Sequence, residues 1–501
     1  MNEKTPSRPL FPGITPLLVG SFFSLILLIK NLLFYWLFSY AFYPDSNLYV
    51  QLGASLFKTW YVTPIVTIPY PFLNALTHSS SSPVLLMWVQ ILFGSVVGGF
   101  FIFVITQKNQ ILAVFLGLLF IFDFVWGGWT RSLMTDGIFS AFLILGLSLF
   151  LLHYFRRDEL PAWELFLSGI LYGLIIFIRP SHIFLAILFP PIYLWLTKSW
   201  KKMLVISCGL VFFFAIIGLT NLKGTKRFYI LSNNESYTSN FLAYPLFIYK
   251  LFSPDNGPTS RMLDGYLQTC YPGLSYAESV DRSEGMGFST ENNMDFIQNK
   301  VYPCVQAYTN DQTLFRTAYI ESLTSKPVKF FQTMTQEVAI FLRYGNPYVL
   351  RWILNASNNY GCTDFLWCET LNQSRSSWDY RQPLIGIYEK ISTKILQIYL
   401  APIGILSRLF PEKQYLPVLT SWIAIFGFLI LFTRSWERLL ILATGGLVLY
   451  TAVIVVVGLG FTERYAAMLS PVQTIFSGIA WFVVFRIIFA ACLKILRKTS
   501  H

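Results

Sequence analysis

The fold class this sequence predicts is a polytopic α-helical membrane protein of about ten transmembrane helices, with a mixed extracytoplasmic domain between them. Three observations predict it. The composition is 54% hydrophobic and 18% aromatic with only 12% charged residues, and the mean hydropathy is +0.54, far outside the balance of soluble domains. Ten apolar segments are long enough, or nearly so, to cross a hydrocarbon layer of roughly 30 Å as helices. The basic residues gather in alternate connections, as they do in loops retained in the cytoplasm.

In order, the segments are 14–41, 84–106, 111–126, 137–154, 163–179, 183–197, 203–221, 415–433, 439–460 and 466–485. The first lacks a small-residue cleavage site and reads as an uncleaved signal anchor. Lys30 interrupts it, and either snorkels to the interface or faces a substrate phosphate from within the bilayer. Segments 163–179 and 183–197 are short and meet at Arg179-Pro-Ser-His182, which predicts a tight helical hairpin. With the amino terminus inside, the cytoplasmic connections receive Lys108, Arg156, Arg157, Lys198, Lys201, Lys202, Arg434 and Arg438, and the carboxy-terminal tail adds Lys494, Arg497 and Lys498. The short outer connections hold only Lys58, Arg131, Arg179 and Arg464. The net charge of +12 is thus explained by topology and inner-leaflet contact, with no nucleic-acid partner.

This reading divides the chain into three parts. Residues 1–221 form an amino-terminal transmembrane module with an outer loop at 42–83, residues 222–414 an extracytoplasmic domain, and residues 415–501 the last spans and a basic tail. The middle part carries turns such as Ser253-Pro-Asp-Asn-Gly-Pro258 and reads as a small mixed domain of short helices and irregular loops. Four of the six cysteines, Cys270, Cys304, Cys362 and Cys368, fall in it and suggest two disulfides on an oxidising face. Three connectivities are open, with Cys270–Cys304 and Cys362–Cys368 the nearest pairs in sequence. Zinc is the rival, but the spacings lack a CxxC pair. Segment 326–345 reads as an amphipathic helix lying along the outer interface, with Val328, Phe331, Val338 and Leu342 among its apolar positions. Segment 385–410 is read as interfacial too, because a span there would move Arg434 and Arg438 outside.

The outer connections hold the candidate chemistry. Asp45 follows the first span in Tyr43-Pro-Asp-Ser-Asn-Leu-Tyr49, where apolar packing does not call for a carboxylate; it suits a general base or a metal ligand, or else caps a turn. Asp136 opens the fourth span as an active-site carboxylate or an N-cap. Arg179 and Arg464 suit a phosphate, with the helix dipole and the neighbouring Glu463 as their respective ordinary explanations. Asp123 and Arg131 either pair with each other or meet substrate, while His78 and His182 read as turn residues. The convergence of these charges on one side suggests a polar cavity opening outward. The one cofactor left open is a divalent metal: Asp45 and Asp136 offer two oxygen ligands, and there is no DxD cluster.

Pro44-Asp-Ser-Asn-Leu-Tyr49, Leu133-Met-Thr-Asp136, Gly173-Leu-Ile-Ile-Phe-Ile-Arg-Pro180 and Glu463-Arg-Tyr465, in this order and all on the outer side, resemble the GT-C superfamily of polyprenyl-phosphate-dependent glycosyltransferases. That superfamily includes protein O-mannosyltransferases and the lipid A aminoarabinose transferase. The resemblance covers 14–221 and 415–485. It implies a GT-C-like fold and transfer of a sugar, with inversion, from a polyprenyl-phosphate-linked donor to a lipid, glycan or protein acceptor. The location it implies is the extracytoplasmic face of a plasma or bacterial inner membrane. Asp45 and Asp136 would be catalytic; Arg179, Arg464, Tyr465, Glu463, Arg131 and Lys30 would bind substrate. The competing readings are a membrane transporter or lipid flippase, which would show repeated halves and broken midplane helices, and a polysaccharide polymerase or ligase using a lipid-diphosphate donor.

Overall fold

The structure, a computed structural model, describes residues 15–38, 44–59, 69–179, 182–225, 228, 235–273, 297–311, 313–344, 387, 390–391, 415–458 and 468–499. The described chain is helical, and it belongs to an integral membrane protein. Among the described residues six helices are long and apolar enough to cross a membrane, or seven if a bent pair is one span. The amino-terminal module contains α1 (Pro16–Phe38), α2 (Pro44–Thr59), α3 (Pro69–Leu76), α4 (Val84–Thr106), α5 (Gln110–Phe122), α6 (Phe124–Thr130), α7 (Thr135–Phe155), α8 (Ala162–Ile178), α9 (Leu185–Thr197) and α10 (Trp200–Thr225). Segments α8, α9 and 423–432 are apolar but shorter.

The segment expected at 111–126 is a broken helix. Asp123 leaves the helical conformation, its carboxylate accepts the backbone N–H of Trp126 and starts α6, and the chain bends by 60°. A side-chain cap offers the backbone an alternative to continuing the helix. The expected hairpin between α8 and α9 is present, with Tyr172 and Phe189 ring to ring at 4.1 Å.

Packing follows membrane logic. Helix α1 lies along α4, burying Phe23, Leu27 and Phe34 while Leu18, Phe22, Leu25, Ile29, Leu33 and Trp36 stay exposed along the opposite face. A stripe of this size would aggregate in water; in a bilayer it is the lipid-facing surface. Helices α8 and α10 cross at Gly169 and Gly209. A Cβ on Gly169 would stand 2.1 Å from the Ile206 carbonyl oxygen, and one on Gly209 2.1 Å from that of Phe166, the small-residue contact that lets membrane helices approach backbone to backbone.

Between the two membrane parts lie α11 (Glu235–Ile248), α12 (Pro258–Cys270), α13 (Tyr302–Tyr308), α14 (Leu314–Ser325) and α15 (Pro327–Tyr344). The described residues of this region form short helices, and Pro254 and Pro258 sit in first turns, where proline begins a helix. Cys270 and Cys304 form the expected disulfide; Cys362, Cys368 and nearly all of 385–410 lie outside the described residues. The Glu321 carboxylate accepts the backbone N–H groups of Thr259 and Ser260 and the Ser260 hydroxyl, bridging α14 to the positive end of α12.

The carboxy-terminal part contains α16 (Tyr415–Phe432), α17 (Ser435–Gly458) and α18 (Ser470–Thr499). Helix α15 packs on α16 and α17. The Tyr319 hydroxyl donates to the Val457 carbonyl oxygen at 2.9 Å, fixing the intervening domain to the end of α17. At the other end of the bundle, Arg156 meets Glu164 at 3.3 Å, Arg486 meets Glu437 at 3.1 Å, and Lys202 donates to the Arg157 carbonyl. The basic residues assigned to one side by the sequence therefore collect at one end, opposite Asp136.

Candidate functional site

The site is built where the first turn of α7 meets the carboxy-terminal end of α8. Gly137 seats α7 against α6: a Cβ there would lie 2.2 Å from the Trp129 carbonyl oxygen, so α6 rests directly on the start of α7. Gln90 of α4 donates to the Ser132 carbonyl at 3.1 Å, holding the turn that carries Arg131. Within this framework Arg179 Nη2 donates to Asp136 Oδ1 in a buried ion pair. Arg131 is fully buried as well, its Cζ 6.0 Å from the Phe34 ring centroid.

These positions show what each side chain meets. Asp136 lies in the first turn of α7, with Met134 at the N-cap, so its partner is Arg179 and it is not the cap. Arg179 stands at the C-cap of α8, yet its guanidinium reaches across to α7. Charges buried in a membrane bundle are costly unless paired, and where they occur they mark function by default.

The loop after α1 closes on this end. Helix α2 packs on α3, and α3 on α8. Tyr70 of α3 is buried with its ring 5.2 Å from that of Tyr49. Burial, then the Tyr49 phenol and the Asp136 carboxylate, push the Tyr70 phenol well above its ordinary range, so Tyr70 lies within electrostatic reach of Asp136. Asp45 belongs to the first turn of α2, with its side chain outside the described residues. His182 is buried in the α8–α9 connection, Nε2 to Thr451 Oγ1 at 3.2 Å. Burial and the Arg179 guanidinium press it down to about 3 against the opposing backbone bond at Arg179, so it is neutral at physiological pH.

A second polar cluster lies at the bend. Lys30 Nζ donates to the carbonyls of Phe120 and Asp123 at 3.0 and 2.7 Å; it turns inward to the end of α5 where snorkelling was the leading expectation. The Asp123 carboxylate accepts Ser470 Oγ at 2.6 Å and Thr474 Oγ1 at 2.7 Å. The expected choice for Asp123 between Arg131 and substrate gives way to a tie between α6 and α18. His78 is exposed, at φ 51°.

Glu463, Arg464 and Tyr465 lie outside the described residues. Met468, just after them, is placed: its carbonyl accepts Ser140 Oγ at 2.6 Å, one turn along α7 from Asp136. Asp136 does not suit a metal, because Arg179 already occupies its carboxylate and a cation there would face a guanidinium. Among the described residues no three His, Cys, Asp or Glu side chains converge to hold one.

Sequence reasoning did not single out Tyr70, Ser470 or Thr474. Their one signal is polarity at the edge of an apolar run, which many lipid-buried hydroxyls share when they bond their own helix. No family model, curated protein or solved structure matches this chain.

Proposed function

We propose that the protein is a glycosyltransferase of about ten spans that moves a sugar from a polyprenyl-phosphate-linked donor to an acceptor at the extracytoplasmic face. The observation that carries this reading is the buried Asp136–Arg179 pair beside the buried Arg131. Both guanidinium groups and the Asp136 carboxylate gather at the start of α7, where the helix dipole and guanidinium forks favour a phosphate. The opposite end carries basic residues, as a cytoplasmic face does, which supports an outward-facing site.

In this mechanism Asp45 takes the proton of the acceptor hydroxyl as its oxygen attacks the anomeric carbon, and the carbon–oxygen bond to the lipid phosphate breaks. Arg179, with Arg131 and Arg464, stabilises the negative charge gathering on the departing phosphate. Asp136 holds the Arg179 guanidinium in position.

The test is mass spectrometry of glycans and glycolipids from cells with the intact protein, without it, and with Asp45→Asn. The expected result is one sugar missing from one acceptor class in both deficient strains. Unchanged glycans in the strain lacking the protein would remove the transferase reading; a lipid substrate accumulating on one leaflet, with its glycans unaltered, would replace it by transport.

A further inference from the structure

Helix α15 has two apolar faces. One is covered: Met334, Val338 and Phe341 are 8%, 7% and 1% exposed, Phe330 in the first turn packs against the same core, and the helix packs on α16 and α17. The other, in the first turns, presents Val328 and Phe331, 68% and 67% exposed, to the surroundings. Three lysines flank those turns. Lys329 Nζ donates to the Lys250 carbonyl at 2.6 Å, bringing the chain at Lys250 beside the helix, and Lys326 immediately precedes it. Burial, together with the Lys326 and Lys250 charges, lowers the affinity of Lys329 for its proton, as a convergence of cations does.

The position of this patch says what covers it. Tyr319, whose ring stands against that of Phe330 at 6.4 Å, is bonded to the end of the α17 span at Val457. The first turns of α15 therefore lie at the level where a membrane helix ends, the depth of lipid headgroups. Large apolar side chains beside lysines at that depth match acyl chains below and phosphates above.

We propose that the first turns of α15 are a docking surface for anionic phospholipid, with Val328 and Phe331 entering the acyl boundary and Lys250, Lys326 and Lys329 engaging headgroup phosphates. This surface is distinct from the Asp136–Arg179 site, and it does not depend on the transferase reading. It anchors the helical domain to the bilayer beside α16 and α17.

The experiment places the photoreactive residue p-benzoylphenylalanine at position 331 of the full-length protein. The protein is reconstituted in vesicles of phosphatidylcholine and phosphatidylglycerol in a three-to-one ratio, irradiated and analysed for adducts by mass spectrometry. Lipid adducts are expected, enriched in phosphatidylglycerol by about fivefold over the bulk ratio, the effect of roughly one lysine near an anionic surface. The enrichment should vanish when Lys250, Lys326 and Lys329, exposed or half-buried, are all replaced by Gln, with the Cys270–Cys304 disulfide left to report folding. Adducts to protein, no adducts, or lipid adducts in the bulk ratio would each overturn the proposal.

Discussion

The Asp136–Arg179 pair makes the sharpest demands on single residues. Both partners are buried, so removing one leaves a charge without its counterion, which costs about 3–5 kcal/mol. Asp136→Asn and Arg179→Ala are therefore expected to lose both activity and thermal stability. Arg179→Lys separates the two losses: it keeps the charge and loses the planar fork. It should retain most of the stability while turnover falls at least about tenfold, a loss on the order of 1.4 kcal/mol in the barrier, read by parallel melting and transfer assays on the purified variant. Equal retention of both would assign the pair a purely structural role. Glu321 makes a pH prediction. Burial raises its carboxyl, but the hydrogen bonds from Thr259 and Ser260 together outweigh it and bring the carboxyl below its ordinary value. A depressed folded-state affinity stabilises the protein above the unfolded carboxyl pKa, near about 4.3, and that contribution is lost as pH falls through the lower folded value. The melting-temperature gap between wild type and Glu321→Gln should thus be widest near neutrality and close below about pH 4; a gap independent of pH would contradict it.

Among the elements, the α8–α10 crossing and the disulfide are the most exposed to test. Gly169→Val inserts side-chain atoms where even a Cβ meets the Ile206 carbonyl at 2.1 Å. The helices would separate, and the expected outcome is aggregation on size-exclusion chromatography in detergent; a monodisperse peak with wild-type stability would refute the packing account. The Cys270–Cys304 bridge closes a separation of 34 residues, for which the chain-entropy model gives about 3–4 kcal/mol. Non-reducing peptide mapping should find the linked pair, and Cys304→Ser should lower the melting temperature with Cys270 then alkylated. These elements also show where the sequence was informative. The span α4 was legible to the residue, because apolar length alone defines it. The break at Asp123 was not, since it depends on Ser470 and Thr474, over three hundred residues away, fixing the carboxylate that caps α6. The same limit hid the two faces of α15: periodicity reports its apolar positions but not which of them the neighbouring helices cover.

For the whole molecule, the bundle has two chemically different ends. One pairs Arg156 with Glu164, Arg157 with Asp158 and Arg486 with Glu437, and holds Lys202 on the Arg157 carbonyl; the other buries Asp136, Arg179, Arg131 and Asp123. The alternation of basic loops made this polarity legible in the sequence, as did the membership of Asp136 and Arg179 in one end. Their direct pairing was not legible, because it depends on which way α8 is turned against α7. The central claim is that the Asp136 end receives a lipid-linked phosphate. The measurement that tests it most directly is photolabelling of the reconstituted full-length protein with a benzophenone-bearing polyprenyl phosphate, followed by peptide mapping. The account predicts adducts concentrated in the peptides around 123–137 and 178–185, competed by unmodified polyprenyl phosphate and strongly reduced by Arg179→Gln but not by Arg156→Gln. Label spread over the lipid-facing surfaces of α1 and α18, indifferent to competitor and to both substitutions, would contradict it.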